Sequence, residues 1–229
     1  MTSVSVVIPA RNETQRLPRC VAALGRQTLQ DFELIVVDSA STDGTGALAQ
    51  RLGARVVRMS EPGVARARQA GFDAATGEVI ASTDADAIPA ADWLERLVAP
   101  FAALDVIGAY GTLRFTGDGP FPHFGYAFFS RFQALNYGLR RPLFCGPNFA
   151  VRADAFRAAG GFATRRGFPH DAEDVRLAMK LRGAGKIVFL RDLPMLVSSR
   201  SLRGMRAVRY TVHHTGVYVR VCWLGRAQS

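Results

Sequence analysis

Along the first hundred residues, short runs of β-branched residues alternate with stretches whose apolar positions recur every three or four residues. The runs at residues 4–8, 33–37, 55–58 and 79–82 predict strands. The interleaved periodic stretches predict helices at about residues 16–24, 45–51 and 64–75, with a further one near 92–102. Repeated units of this kind assemble around a mainly parallel sheet, so the expected fold class is α/β with helices flanking the sheet. The second half is less regular. An aromatic-rich stretch at 121–132 precedes a predicted strand at 148–152, a helix at 172–182 opened by acidic residues, and a strand at 187–190. No internal repeat or low-complexity linker interrupts the chain, which favours one compact domain.

In an open parallel sheet, ligands bind in the crevice at the carboxyl ends of the strands. The first strand runs into Pro9-Ala10-Arg11-Asn12-Glu13 and the second into Asp38, with Asp43-Gly44 forming a turn and helix cap just beyond. A carboxylate at the position of Asp38 suits a base imide or a ribose hydroxyl. No glycine-rich loop follows the first strand, which excludes a dinucleotide fingerprint. The fourth strand runs into Asp84-Ala85-Asp86. Two carboxylates one residue apart, if extended, project to the same side and can share one hard cation with diphosphate oxygens. The same tripeptide also serves as an acidic turn before a helix, and its place after a buried strand favours the binding role. Arg66 and Arg68 lie on a helix starting near the same edge, and either one suits phosphate charge, with the other on a solvated face. Asp171, Glu173 and Asp174 open the later helix, where acidic side chains complement the helix dipole and where a carboxylate facing the crevice can act as a general base.

The remaining composition narrows the partners. With 229 residues and 48% hydrophobic content, the chain can bury a sizeable core. Its three cysteines, Cys20, Cys145 and Cys222, form no Cys-x-x-Cys pair, so neither a disulfide framework nor a zinc ribbon is expected and a reducing cytoplasm is the natural setting. No secretory leader and no membrane-spanning run is expected from the sequence. The formal charge of +10 is concentrated: residues 1–139 hold 12 basic and 14 acidic side chains, residues 140–229 hold 17 and 5, and none after Asp192 is acidic. Without any nucleic-acid-binding motif, that asymmetry suits an anionic membrane surface and no nucleic acid.

The stretches SVVIPARNE, ELIVVDSASTDGT, EPGVARARQAG, ASTDADAIP, GPNFAVRADAFRAAGGF and AEDVRLAMKLRGAGK, in this order, resemble the family-2 glycosyltransferases with the nucleotide-sugar-binding fold called GT-A. The resemblance covers roughly the first 190 residues. It implies an inverting transfer from a nucleotide-diphosphate sugar, UDP-sugar ahead of GDP-sugar, to an acceptor hydroxyl, a lipid-linked acceptor included. It further implies that Pro9, Arg11, Glu13 and Asp38 line the nucleotide pocket, with Arg66 and Glu173 also assigned to substrate. Asp84 and Asp86 would form the Asp-x-Asp motif holding Mn2+ or Mg2+, with Asp86 nearest the metal. Gly146 and Asn148 would border the donor sugar or acceptor, and Asp174 would be the catalytic base. The implied division is a catalytic domain at 1–195, its nucleotide part to about 110 and its acceptor part from 111, then a basic amphipathic segment at 196–229. One departure is visible. Many relatives carry a metal-binding histidine after the strand following the acidic helix, where this chain reads Leu196-Val197-Ser198-Ser199-Arg200, and His213 and His214 come later. A non-catalytic nucleotide-sugar-binding or membrane-associated scaffold would be favoured by loss of the acidic motifs, which are all present. A sugar-1-phosphate nucleotidyltransferase needs a basic glycine-rich loop after strand one, which is absent. In the last segment Arg200, Arg203, Arg206 and Arg209 recur every three residues beside Leu202, Met205, Val208 and Val212, a pattern that suits either a helix lying on a membrane or one packed on the catalytic domain.

Overall fold

The computed structural model describes residues 2–116, 120–162 and 172–198, with 120–125 as backbone, together with residues 216, 218, 221 and 222. Asp171, Arg200, Arg203, Arg206, Arg209, His213 and His214 lie outside the described residues, as does most of the basic C-terminal segment.

Four strands, β1 (Val4–Ala10), β2 (Glu33–Ser39), β3 (Arg55–Met59) and β4 (Val79–Ser82), pair in parallel in the order β3-β2-β1-β4. The helices α1 (Leu17–Leu24), α2 (Thr45–Arg51), α3 (Val64–Ala74) and α4 (Trp93–Val98), the last extended by a 3-10 turn Ala99–Ala102, connect and follow them. Both faces of the sheet are covered. Val6, Ile8 and Val36 pack toward Leu17, Leu24 and Leu94, whereas Val7, Ile35 and Val37 pack toward Ala67 and Phe72. Burial on both faces is why these strands read as continuous apolar runs.

Beyond β4 the sheet continues with β6 (Phe149–Arg152), β5 (Val106–Thr116) and β7 (Lys186–Ser198), giving seven strands in all. β6 runs antiparallel to both neighbours, while β5 and β7 are parallel to each other. Helices α5 (Pro120–Gly138), α6 (Ala153–Ala158) and α7 (Glu173–Leu181) complete the layers. β5 spans residue 110 and β7 spans residue 195.

The second face is dominated by aromatic rings. Phe149 stacks on Phe144 at 4.9 Å, and Phe72 meets Phe156 at 4.9 Å and Phe162 at 5.0 Å. Because Phe149 is fully buried at the junction of β4, β5 and β6, Phe149→Ala should lower unfolding free energy by about 3–5 kcal/mol, measured by urea denaturation.

Candidate active site

The carboxyl ends of β1, β2 and β4 form one edge. Since β6 is reversed, its start meets that edge too: Ser82, the last residue of β4, pairs with Phe149, the first of β6. This brings Gly146, ahead of β6, beside the loop after β4. Ser82 Oγ donates to Gly146 O at 2.7 Å and fixes the two loops together.

At the β1 and β2 ends the loops are tied to each other. Ala10 pairs with Asp38 across the ladder. The Asn12 N–H donates to Ser41 Oγ at 3.0 Å, and Thr42 N–H donates to Asn12 Oδ1 at 2.9 Å. Glu13 is buried, pairs with Arg16 at 3.1 Å and accepts, through its carbonyl, the amides of Arg16 and Leu17 at the entry to α1. Asp38 accepts from Ser41 N–H at 3.0 Å and lies against Gly46 in the first turn of α2, where any Cβ would overlap its carboxylate. Pro9 is half-buried and Arg11 exposed on the same edge. Asp43 does cap the turn: desolvation is the largest single effect on its carboxyl and raises it, but the hydrogen bonds from Thr45 and Thr14 together outweigh it and hold the carboxyl at about 2.

After β4 the chain turns, with Ala87 N–H donating to Asp84 O at 3.0 Å, instead of remaining extended. Ala85 and Ala87 are buried while Asp84 and Asp86 stay half-buried at the crevice. The two carboxylates therefore share a side through a turn and not through strand alternation.

The centre of the site is Arg68. Its guanidinium is buried, donates from Nη2 to Asp84 Oδ1 at 2.7 Å, and donates from Nη1 to Glu173 at the start of α7. Gly146 packs flat against it, and a Cβ there would overlap the guanidinium. The Gly146 N–H in turn donates to Asp174 Oδ2 at 2.7 Å, while Asp174 Oδ1 accepts from Val175 N–H at 2.8 Å. Three carboxylates, Asp84, Glu173 and Asp174, thus converge on one arginine. Burial, and next the charge of Glu173, push the Asp174 carboxyl up to about 7, against the opposing pull of Arg68 and the two amides. Nearby thiols are held protonated: burial, then Asp84 and Asp86, raise Cys20, and burial, then Asp174 and Asp84, raise Cys145.

Two expected site residues stand elsewhere. Arg66 is partly exposed and bonds Glu61 at 2.6 Å and Pro62 O at 2.7 Å, so of the two arginines it is Arg68 that enters the site. Asn148 is fully buried below the site, not at its border. The β5/β7 register breaks between Gly111 and Thr112, and Asn148 Nδ2 donates to Thr112 O and Leu193 O there, both at 2.8 Å. Its Oδ1 accepts from Trp93 Nε1 at 2.9 Å, so the side chain is spent on the scaffold. Arg68 was passed over in favour of Arg66, although its place as a charge inside the apolar stripe of Ala67, Gly71 and Phe72 is a signal that could have found it; Ser82 carried no such signal.

The donor set suits a hard divalent cation. Asp84 is about a third exposed beside Asp86, and the surrounding carboxylates outnumber Arg68. Among the described residues no group of three or more His, Cys, Asp or Glu forms an all-protein cage. A cation at Asp84 and Asp86 would share their carboxylates with oxygens of substrate phosphate and water, the usual way Mg2+ is held.

Residues 5–160 match the family profile described as Glycosyl transferase family 2. Glycosyltransferase AglE of Haloferax volcanii is 29% identical over 172 residues, 69% of this chain and 55% of that protein. A PGL/p-HBAD biosynthesis glycosyltransferase of Mycobacterium tuberculosis is 39% identical over 102 residues, 42% of this chain and 40% of that protein. The chain spans about half the length of the curated relatives it matches. Mannosyltransferase PcManGT from Pyrobaculum calidifontis, solved in complex with GDP-Man and Mn2+, superposes with a TM-score of 0.72 at 26% identity, over 95% of this chain and 64% of that one. S. aureus TarS, solved in complex with UDP-GlcNAc, shares the fold with a TM-score of 0.69 at 20% identity, over 90% of this chain and 60% of that one.

The scaffold role of Asn148 is open to measurement. Asn148→Ala strands two carbonyls and an indole N–H in the core and should lower unfolding free energy by about 2–4 kcal/mol, while nucleotide affinity of the folded protein stays unchanged in calorimetry.

Proposed function

The chain belongs to glycosyl transferase family 2, and from that membership we propose that it transfers a sugar from a nucleoside-diphosphate donor to an acceptor hydroxyl with inversion at the anomeric carbon. The observation that carries this reading is the gathering of Asp84, Glu173 and Asp174 around Arg68 at the carboxyl edge of the sheet, where burial and the charge of Glu173 raise the Asp174 carboxyl.

In this reading Pro9, Arg11, Glu13 and Asp38 hold the nucleotide, and Asp84 and Asp86 face the diphosphate. Asp86 and Asp84 would hold a divalent cation, Mn2+ or Mg2+, which would supply positive charge to the departing diphosphate. Asp174 accepts the proton of the acceptor hydroxyl. The hydroxyl oxygen forms its bond to the anomeric carbon as the bond from that carbon to the diphosphate oxygen breaks on the opposite face. A carboxyl near 7 is matched to this task, since a general base works best with a pKa near the working pH. Glu173 stays paired to Arg68 and keeps the start of α7 in register with the donor loop. Gly146 orients the base through its N–H. A UDP-sugar is the first donor to try and a GDP-sugar the second; the two solved structures described above carry one nucleotide of each kind.

Asp86→Ala should fold normally and lose metal-dependent donor affinity in titrations of UDP- and GDP-sugars with and without Mn2+. Undiminished affinity with metal present rejects the assignment of Asp86.

Asp174→Asn should bind nucleotide normally and turn over about a hundredfold more slowly or worse, the usual scale for a lost general base. In the wild-type enzyme the base form of Asp174 is lost as pH falls through its raised pKa, so turnover should decline below about pH 7. The variant should lack that limb. Near-normal turnover by Asp174→Asn removes it as the base.

A further inference from the structure

Helix α5 turns a polar face inward and an apolar, basic stripe outward. Ser130, Gln133 and Asn136 are buried. On the opposite side Phe128, Leu135 and Leu139 follow at intervals of seven and four residues and are 66%, 63% and 50% exposed. That spacing keeps all three within a narrow sector of the helix, and Arg131, also exposed, lies in the same sector. The Leu139 N–H still donates to Leu135 O at 3.1 Å, so the helical phase holds to the end of the stripe.

The helix closes on Arg140 in the left-handed conformation (φ 55°), with Arg140 N–H donating to Tyr137 O and Arg141 N–H to Asn136 O. This is the C-terminal motif that ordinarily takes glycine. Here a strained, exposed arginine stands in its place, adding charge beside the apolar stripe. No acidic residue occurs from Gly119 to Ala153, while Arg131, Arg140, Arg141 and Arg152 do. Tyr218, from the acid-free C-terminal part, packs its ring on Phe132 at 5.1 Å at the flank of the stripe.

We propose that the outer face of α5 is a docking surface for an anionic lipid bilayer, with Phe128, Leu135 and Leu139 entering the acyl boundary and Arg131 and Arg140 meeting headgroup phosphates. Large apolar side chains flanked by arginines are the pattern of a helix lying in the interfacial plane. No helix among the described residues is long and apolar enough to cross a membrane, so α5 lies on the surface and does not span it. A second copy of the chain is a poorer occupant. A two-fold contact sets the same patch against itself, which brings Arg131 and Arg140 of both copies together with no nearby carboxylate in the acid-free stretch. The surface is argued independently of the transfer reaction, so either can fail without the other.

The test is co-sedimentation of the full chain with vesicles of phosphatidylcholine alone and of phosphatidylcholine mixed equally with phosphatidylglycerol, over a salt series. The wild type should bind the mixed vesicles at low salt and release as salt rises. Phe128→Ser/Leu135→Ser/Leu139→Ser should partition at least about tenfold less, since three apolar anchors are removed. Arg131→Gln/Arg140→Gly should weaken binding about fivefold per arginine, corresponding to about 1 kcal/mol for each charge near the surface. The second variant places glycine where the backbone favours it, so its fold is secure. Phe128→Trp needs no weakened protein: its emission should shift to the blue on mixed vesicles. Wild type and variants binding mixed vesicles alike, no binding by the wild type, or an unshifted tryptophan each overturn the proposal. A vesicle-free dimer that the serine variant abolishes overturns it in favour of a second copy, and retention of the wild type by an acidic peptide but not by mixed vesicles overturns it in favour of a protein partner.

Discussion

The site depends on a single buried cation. Arg68 joins the loop after β4, through Asp84, to the first turn of α7, through Glu173, and it does so from a helix that belongs to neither. Taking a guanidinium out of water is strongly unfavourable unless its charge is met by well-placed carboxylates, and removing one partner of such a pair typically costs 3–5 kcal/mol. The planar fork is what allows one side chain to serve two carboxylates in different directions; a lysine in its place offers a point charge without that geometry. Gly146 belongs to the same constraint, because only a residue without Cβ lets the third segment lie against the guanidinium.

The topology explains why those segments are available. Reversal of β6 carries residues 146–148 to the edge where β4 ends, so a loop remote in sequence meets Asp84. Asn148 then secures what lies beneath. The register break between β5 and β7 leaves carbonyls pointing away from the ladder, and a buried amide that bonds two of them while accepting from Trp93 locks α4, β5, β6 and β7 together. A buried polar group with all its partners in place rigidifies a core. Here that rigidity lies directly below the Gly146 N–H that holds Asp174.

How far the sequence could be read follows from the range of the forces involved. β1 to β4 and α1 to α4 were legible, because burial on both sheet faces and a helical period leave local signatures. β5 was not: its Gly-Ala-Tyr-Gly centre lacks a β-branched run and is a strand because of its neighbours. α5, rich in aromatics and interrupted by proline and glycine, read only as a composition, and β7 extends well past its apolar run because β5 pairs with it beyond the register break. Asp84 and Asp86 were singled out by their place after a buried strand, whereas Asp174 was chosen among Asp171, Glu173 and Asp174 only through the family resemblance. Arg66 and Arg68 could not be ranked without knowing which face of α3 meets the sheet, although Arg68 alone falls in the stripe with Ala67, Gly71 and Phe72. Asn148 was placed at the pocket because its partners, Trp93, Thr112 and Leu193, are 36 to 55 residues away.

The inner face of α5 is linked to Asp174 through the segment that precedes β6. On the inner face Gln133 Nε2 donates to Leu143 O at 3.3 Å and approaches Cys145 Sγ at 3.3 Å, and the next residue, Gly146, donates to Asp174. Gly146 is held from three sides: by Ser82 at its carbonyl, by Asp174 at its amide and by Arg68 at its Cα. Arg68, Gly146 and Asp174 are thereby linked by contacts to the inner face of α5. The face of α5 opposite Phe128, Leu135 and Leu139 therefore reaches Asp174 through Gln133, Cys145 and Gly146.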